Sequence, residues 1–483
     1  ASDTVTISFA YPDMASYDYL VNKCYVLDKG TYTISIRSDS HTIIDSRNVT
    51  VPETVIYNPS HNGKRPSDDT AAVNNFDFAE GSHAYLSRAN HFANYKAATD
   101  APGKNEYAMS DSEKKIFFSL ATYDSLKTDD NSIKNPITGA HNGIRIRDMK
   151  DVSYDDPRWE KLLDEMTVDE MVNLIGFGGY ASTRIKSIDL PATIECDGPA
   201  AIHNNYNGVS GTAFPAATMI AATWNKDLAY KRGNLMGLQC NEMRVSGWYG
   251  PAMNIHRTAF SGRNFEYYSE DSVLSGTIGA SEISGAENYD VQTYMKHFAL
   301  NDQETNRSNM LCTWSNEQAA REIYLKPFEY AVKTGKTTAA MTSFNYIGTQ
   351  WAGACPALLM NLLRGEWGFR GATVTDWFAG SYDGFMDADA AIRSGGDKML
   401  SSQGDPEAIV SNIDKPATVV AMRNASHNIL YSIANSNAMN AENFANPGWV
   451  KKFILIDVIL AVLLCLCEAV VIMKYVSEKK KNA

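Results

Sequence analysis

What this chain lacks narrows its chemistry first. Its seven cysteines form no CxxC pair: Cys24, Cys196, Cys240, Cys312 and Cys355 lie far apart, and Cys465 and Cys467 sit inside an apolar run. That spacing gives neither a zinc ribbon nor a disulfide framework. No HExxH stretch occurs, and a site built from His256, His297 and Asp302 would have Lys296 and Arg307 competing with the cation, so no metal or other cofactor is expected. There is no GxxxxGK loop to cradle a phosphate. Net charge is −12 with no basic stripe, which argues against nucleic acid as a partner. No internal repeat at a short fixed period is visible. The first residues, "ASDTVTISFAYPDM", have neither an initiator Met nor a signal-peptide pattern. Alternation over Thr4–Ala10 reads as a strand in progress, so the chain is expected to start inside a domain.

What is present is a folded composition of 44% apolar and 21% charged residues, over a length suggesting two or three domains. Residues 1–55 alternate as strands ("KCYVL", "GTYTISIRS", "NVTV"), and 56–154 are polar and weakly periodic, a linking region. From about Asp155 short apolar runs alternate with helical patterns up to about residue 405, the signature of a parallel sheet, with a (β/α)8 barrel as its usual closed form. Residues 406–448 read as a helical extension. The run Phe453–Met473 would extend about 30 Å as a helix, enough to span a bilayer. Trp449 and Tyr475 flank it and lysines are more numerous after it, although Asp457 and Glu468 interrupt it. Residues 449–476 are therefore expected to be a single transmembrane helix, 477–483 a cytoplasmic basic tail, and the upstream part extracellular.

The candidate strands "ATIEC", "GWYGPAMN", "VQTYMKHF", "TTAAMTSFN" and "GATVTDW" share one property. Each finishes in polar residues: Asp197; Asn254 and His256; Lys296 and His297; Ser343 and Asn345; Asp376. In a parallel barrel these ends gather at one mouth, where active sites sit. A lone Asp at a strand end is more often a helix cap. Asp197, Lys296, His297, Arg263 and Asp376 together on one rim call instead for a polar ligand. Carboxylates and cations beside Trp377 suit a polyhydroxylated ring, whose hydroxyls take charged hydrogen bonds and whose CH face stacks on an indole. Phosphate, the main rival, would be repelled by Asp197 and Asp376.

"ECDGPAAIH", "YGPAMNIHRTAFSGRNFEYYSED", "KHFALNDQETNR" and "LLRGEWGFRGATVTDW" occur in this order and resemble the motifs of glycoside hydrolase family 3 β-glucosidases, over about Asp155 to Leu400. The resemblance implies that Asp376 is the nucleophile of a retaining, exo-acting β-glycosidase. It implies that Asp197, Arg263, Lys296, His297, Arg307 and Trp377 hold the terminal sugar of an oligosaccharide or β-glucoside. His256, Glu266 and Glu304 lie in the same motifs as supporting residues, with Glu304 a partner of Lys296 or Arg307.

Two departures from the family pattern stand out. A family "SYN" segment is here "SFN", so Phe344 replaces a tyrosine whose hydroxyl lies near the nucleophile, and Tyr346 is the alternative donor. The proton donor of the β-glucosidases sits on a separate α/β sandwich domain not found in this sequence. The β-N-acetylhexosaminidase branch, with its "KHFPGHG"-like loop, is disfavoured by "KHFALNDQ". Residues 1–55 are similar to the end of the fibronectin type III-like domain of permuted members, which places the acid/base domain upstream. The alternative reading is a sugar-binding or catalytically impaired barrel fragment lacking that domain.

Overall fold

The computed structural model describes residues 6, 8, 10–81, 84–87, 90–100, 109–119, 123–378, 385–402, 408–440 and 448–481. The strand expected over Thr4–Ala10 lies largely outside the described residues, whereas the helical extension expected over 406–448 is described at 408–440 and carries the helix Pro416–Ala434. The chain forms two compact units, residues 1–438 and 439–483.

The first unit opens with five strands. β1 (Ser16–Asp18), β2 (Cys24–Leu27) and β5 (Val55–Tyr57) form one antiparallel sheet; β3 (Gly30–Arg37) and β4 (Ile43–Val51) form a hairpin. Tyr17, Tyr25, Leu27, Val51 and Tyr57 make a small core of their own. The polar stretch that follows is short of regular structure yet firmly anchored. Phe76 and Ala79 join the main core, and Arg65 is buried with Asp68 and Glu329.

Six further strands build the expected parallel sheet: β6 (Glu195–Cys196), β7 (Gly247–Trp248), β8 (Gln292–Phe298), β10 (Ala339–Thr342), β13 (Ala372–Trp377) and β14 (Lys398–Leu400). Their order is β14-β13-β10-β8-β7-β6, and every pairing is parallel. Three short strands, β9 (Cys312–Thr313), β11 (Tyr346–Ile347) and β12 (Gln350–Trp351), form a separate sheet. The architecture is a TIM-barrel-like α/β fold, but with six strands among the described residues where eight were expected. The gap between β14 and β6 is closed by an extended segment. Gly178 and Gly179 donate to Met399 O and Ser401 O (both 2.9 Å), while Tyr180 O accepts from Glu195 N (2.9 Å). The two glycines are required there. A Cβ on Gly178 would lie 2.6 Å from Met399 O, and one on Gly179 2.8 Å from the Ser401 carbonyl carbon.

Local chemistry explains the elements around the sheet. All seven residues of β8 are buried, as a strand covered on both faces requires. The periodic stretch from Arg158 forms two helices, Arg158–Glu165 and Val168–Gly176, because Thr167 and Glu170 make a capping box that starts a new helix. Ser272–Ala286 begins where the Asp271 side chain accepts from Leu274 N. The stretch Ser315–Gly335 is divided into Glu317–Ala319, Ala320–Tyr324 and Lys326–Lys333, the last carrying a proline in its first turn. Helix Pro416–Ala434 packs on Val168–Gly176 and on β13. Each large aliphatic or aromatic side chain buried here contributes about 1.5–3 kcal/mol relative to exposure. Inside the barrel lies an ion pair, Lys398 Nζ to Glu195 Oε1 at 2.6 Å, with both side chains wholly buried. Tyr249 and Tyr294 donate to the same carboxylate at 2.8 and 3.2 Å.

The second unit is dominated by one helix, Gly448–Lys481. Its portion Lys452–Lys481 is long and apolar enough to cross a membrane.

Candidate active site

The carboxyl ends of the six strands converge on a cavity of about 200 Å³. Asp197, Arg263, Lys296, His297, Arg307, Asp376 and Trp377 all line it, together with Tyr180, Tyr249, Met341 and Leu400. Asp197 follows β6 and is folded back by a two-way backbone bridge to His203. Lys296 and His297 lie on β8, and Asp376 and Trp377 end β13. Arg263 and Arg307 come from the loops after β7 and β8.

The charges are arranged in a continuous chain. Lys296 Nζ lies 2.7 Å from Asp197 Oδ1 and 3.4 Å from Glu266 Oε1. Glu266 accepts two parallel bonds from Arg263, at 2.9 and 2.7 Å, a fork geometry that fixes the guanidinium plane. Arg263 also donates to His297 Nε2 at 3.0 Å. That nitrogen is therefore an acceptor, so the proton sits on Nδ1, which faces the Tyr267 hydroxyl at 3.2 Å. Arg307 donates to Asp376 Oδ2 at 3.0 Å, and its Nε lies 3.0 Å from Glu304. The other Asp376 oxygen accepts from Trp377 N at 2.7 Å.

Burial and neighbouring charge set the protonation states. Burial works against the Asp197 and Glu266 carboxylates, but the Lys296 ammonium beside both, helped by the Gly198 amide at Asp197 and by Arg263 at Glu266, holds them below the usual range. Lys296 itself is pulled down by burial and pushed up further by Asp197 and Glu266, so it stays a cation. His297 is driven well below its ordinary value by burial and then by Arg263, Lys296 and Arg307, which keeps the ring neutral.

Among the described carboxylates, Asp197 and Asp376 line the cavity. Glu266 and Glu304 stand behind the arginines. Glu304 is held by Arg307 and by Asn301 Nδ2 at 3.1 Å, Arg307 being one of the two partners expected for it, with Lys296 the other. His256 is turned away, its Nε2 against Tyr267 O at 3.0 Å. Phe344 lies under the Arg307 guanidinium, 4.7 Å from the ring centroid. Tyr346 is not brought to the cavity. It packs against Phe117 and Phe385, at 5.0 and 5.8 Å between ring centroids, because its strand belongs to the separate β9-β11-β12 sheet.

Sequence reasoning missed Tyr180 and Tyr249. Tyr249 opens one of the motifs but was given no role, and Tyr180 follows the "FGG" turn whose two glycines were the signal of close approach.

Comparison with known proteins agrees with this geometry. The description "Glycosyl hydrolase family 3 N terminal domain" matches residues 167–424, more than half of the chain, and the chain belongs to this family. It is similar to Beta-glucosidase A of Butyrivibrio fibrisolvens, with 38% identity over 248 residues, 51% of this chain and 28% of that protein. It is also similar to a Beta-glucosidase of Ruminococcus albus, with 35% identity over 272 residues, 54% of this chain and 28% of that protein. The matched part thus spans less than a third of these relatives. Among solved structures, beta-glucosidase 3B from Thermotoga neapolitana in complex with glucose aligns with a TM-score of 0.52 and 31% identity, covering 61% of this chain and 45% of that one. A beta-glucosidase from Paenibacillus barengoltzii shares the fold over 90% of this chain and 48% of its own, with a TM-score of 0.64 and 24% identity.

Proposed function

We propose that this chain carries the nucleophile half of a retaining, exo-acting β-glycosidase of the β-glucosidase type. The observation that carries the reading is the Asp376 carboxylate. It ends β13 at a cavity of about 200 Å³, oriented by Arg307 and by the Trp377 amide, with Asp197, Lys296, Arg263 and His297 around it. In the first step an Asp376 oxygen attacks the anomeric carbon of the terminal sugar. The bond to the leaving oxygen breaks and a covalent glycosyl-aspartate forms. Asp197 and Lys296 would take the sugar hydroxyls, and Trp377 would cover the CH face.

The leaving oxygen needs a proton, and Asp197, ionised by Lys296, is not the group to supply it. An upstream sandwich domain is the proposed source, with residues 1–55 as the end of the fibronectin-like domain that links it to the barrel at 155–405. The Lys452–Lys481 helix supports a membrane anchor, and the excess of lysines after the apolar run would place the catalytic part outside. The second reading, a sugar-binding or impaired fragment, is favoured by the same lack of an available acid among the described cavity-lining residues.

Incubation with 2-deoxy-2-fluoro-β-glucosyl fluoride, followed by peptide mass spectrometry, separates the two readings. A stable adduct on Asp376 is the expected result. Glucose binding with no adduct would favour the binding module.

A further inference from the structure

Beyond the cavity itself, the aromatic side chains at the mouth form an ordered row. Tyr249 is fully buried at the floor, its hydroxyl held by Glu195 and accepting from Tyr180 N at 3.0 Å. Tyr180 is next, with ring centroids 5.5 Å from Tyr249, 6.3 Å from Trp377 and 5.4 Å from Tyr206. Tyr206 is the outermost. It is parallel to the Trp377 indole within 11°, at a centroid separation of 6.4 Å. At that distance two rings touch as an offset stack, and no third ring fits between them. Together they present a continuous aromatic surface that starts inside the cavity and emerges from it, for Tyr206 is 53% exposed and lies outside the cavity lining.

An exposed tyrosine on a loop is ordinarily free to swing, but this one is fixed at both ends. Its backbone N–H donates to Asn204 Oδ1 at 2.9 Å, and the Asn204 side chain is tied to Glu195 O at 2.8 Å. At the far end Ser402 Oγ donates to the Tyr206 hydroxyl at 2.9 Å. A flat ring held parallel to its neighbour, with its entropy cost already met by the fold, is a preorganised stacking platform.

We infer that Tyr206 is a specificity-determining residue that stacks the group leaving from the sugar, favouring flat or ring-shaped aglycones over small ones. The proposal rests on the glycosidase reading above: with the sugar on Asp376 and Trp377, whatever is attached at its anomeric carbon leaves the cavity along the Tyr206 face.

Two inactivators that deliver the same fluorosugar to Asp376 test it. In 2-deoxy-2-fluoro-β-glucosyl fluoride the C1–F bond breaks and fluoride departs. In the 2,4-dinitrophenyl 2-deoxy-2-fluoro-β-glucoside the C1–O bond breaks and a dinitrophenolate ring departs. Neither leaving group needs a proton, so the chain is tested as it stands. The readout is the ratio of second-order inactivation rates, aryl reagent over fluoride reagent. That ratio cancels losses that strike the sugar pocket or the folded fraction equally. Tyr206→Ala should lower it about three- to tenfold, the range of one aromatic stacking contact. Tyr206→Phe should restore it to within about twofold of wild type, since the ring and not the hydroxyl does the stacking. An unchanged ratio in Tyr206→Ala, or a ratio that stays low in Tyr206→Phe, overturns the platform. Failure of the wild-type chain to react with either reagent defeats the glycosidase reading, and the platform with it.

Discussion

Two lysine–carboxylate pairs sit one layer apart in this barrel and do opposite things. Glu195 and Asp197 are two residues apart on and just beyond β6, so both side chains point to the same side. Glu195 meets Lys398 with neither side chain exposed. Asp197 meets Lys296 at almost the same distance, but its side chain remains 32% exposed. The inner pair has its valences filled by Tyr249, Tyr294 and Ser182 and has no room for a ligand. The outer one leaves a carboxylate face open at the cavity. Chemistry is thus set by how many partners the protein itself supplies, since the ion types are the same in both layers.

The largest expected effect separates the layers most sharply. Asp376→Asn should reduce labelling by at least about a thousandfold, with the thermal midpoint little changed. Loss of folding in that variant would place Asp376 with the structural layer instead. Next, Lys398→Met leaves Glu195 buried without its cation and should destabilise the fold by about 3–5 kcal/mol in a denaturant titration, whereas the double variant Glu195→Gln/Lys398→Met recovers much of the loss. If the single and double variants are equally unstable, the pairing is not what matters there. Lys296→Met should act mainly on function, lowering the labelling rate about ten- to hundredfold, the range for a lost charge-assisted hydrogen bond.

The pH dependence of that variant sharpens the point. Asp197 is depressed in the folded protein, so what the pair contributes is present above the ordinary carboxylate range and fades only as pH falls through the depressed value. Removing Lys296 should move the acid limb of the labelling profile to higher pH. The smallest effect concerns His427, which burial lowers to about 4. Its folded pKa lies below its unfolded one, so the unfolded chain binds more protons between about 6.5 and 4 and stability declines as pH drops through that window. His427→Gln should flatten part of that decline in a thermal-midpoint series. A profile identical to wild type would count against His427 as a contributor.

Much of this site could be read from the chain because strand ends carry their charge in the local sequence. "DGP", "KHF" and "TDW" each finish an apolar run with a group that is costly to bury, and all three met at the cavity. What could not be read depends on contacts distant in sequence. β14 is three residues long, too short for periodicity to show. The closure by Gly178 and Gly179 exists only because Met399 and Ser401 approach from the other side. Tyr346 looked well placed two residues from Phe344, yet its pairing with Cys312 and Trp351 carries it into another sheet. Local pattern gives the direction of a strand end; it does not say which sheet a turn will join.

The anchoring of residues 65–76 bears on how this protein can be dissected. Arg65 binds Glu329 at 2.9 Å, Asp68 pairs with Lys333, the amides of Asn75 and Phe76 donate to Glu317, and Arg321 reaches Val73 O. A barrel trimmed to begin at residue 155 would keep Glu329 with Lys326 and Lys333, and Arg321 with Glu317 and Glu366, but would discard Arg65, Asp68, the Asn75 and Phe76 amides and Val73 O. The stretch that looks most like a disposable tether is a clasp, and a cut made there would cost the barrel part of its footing.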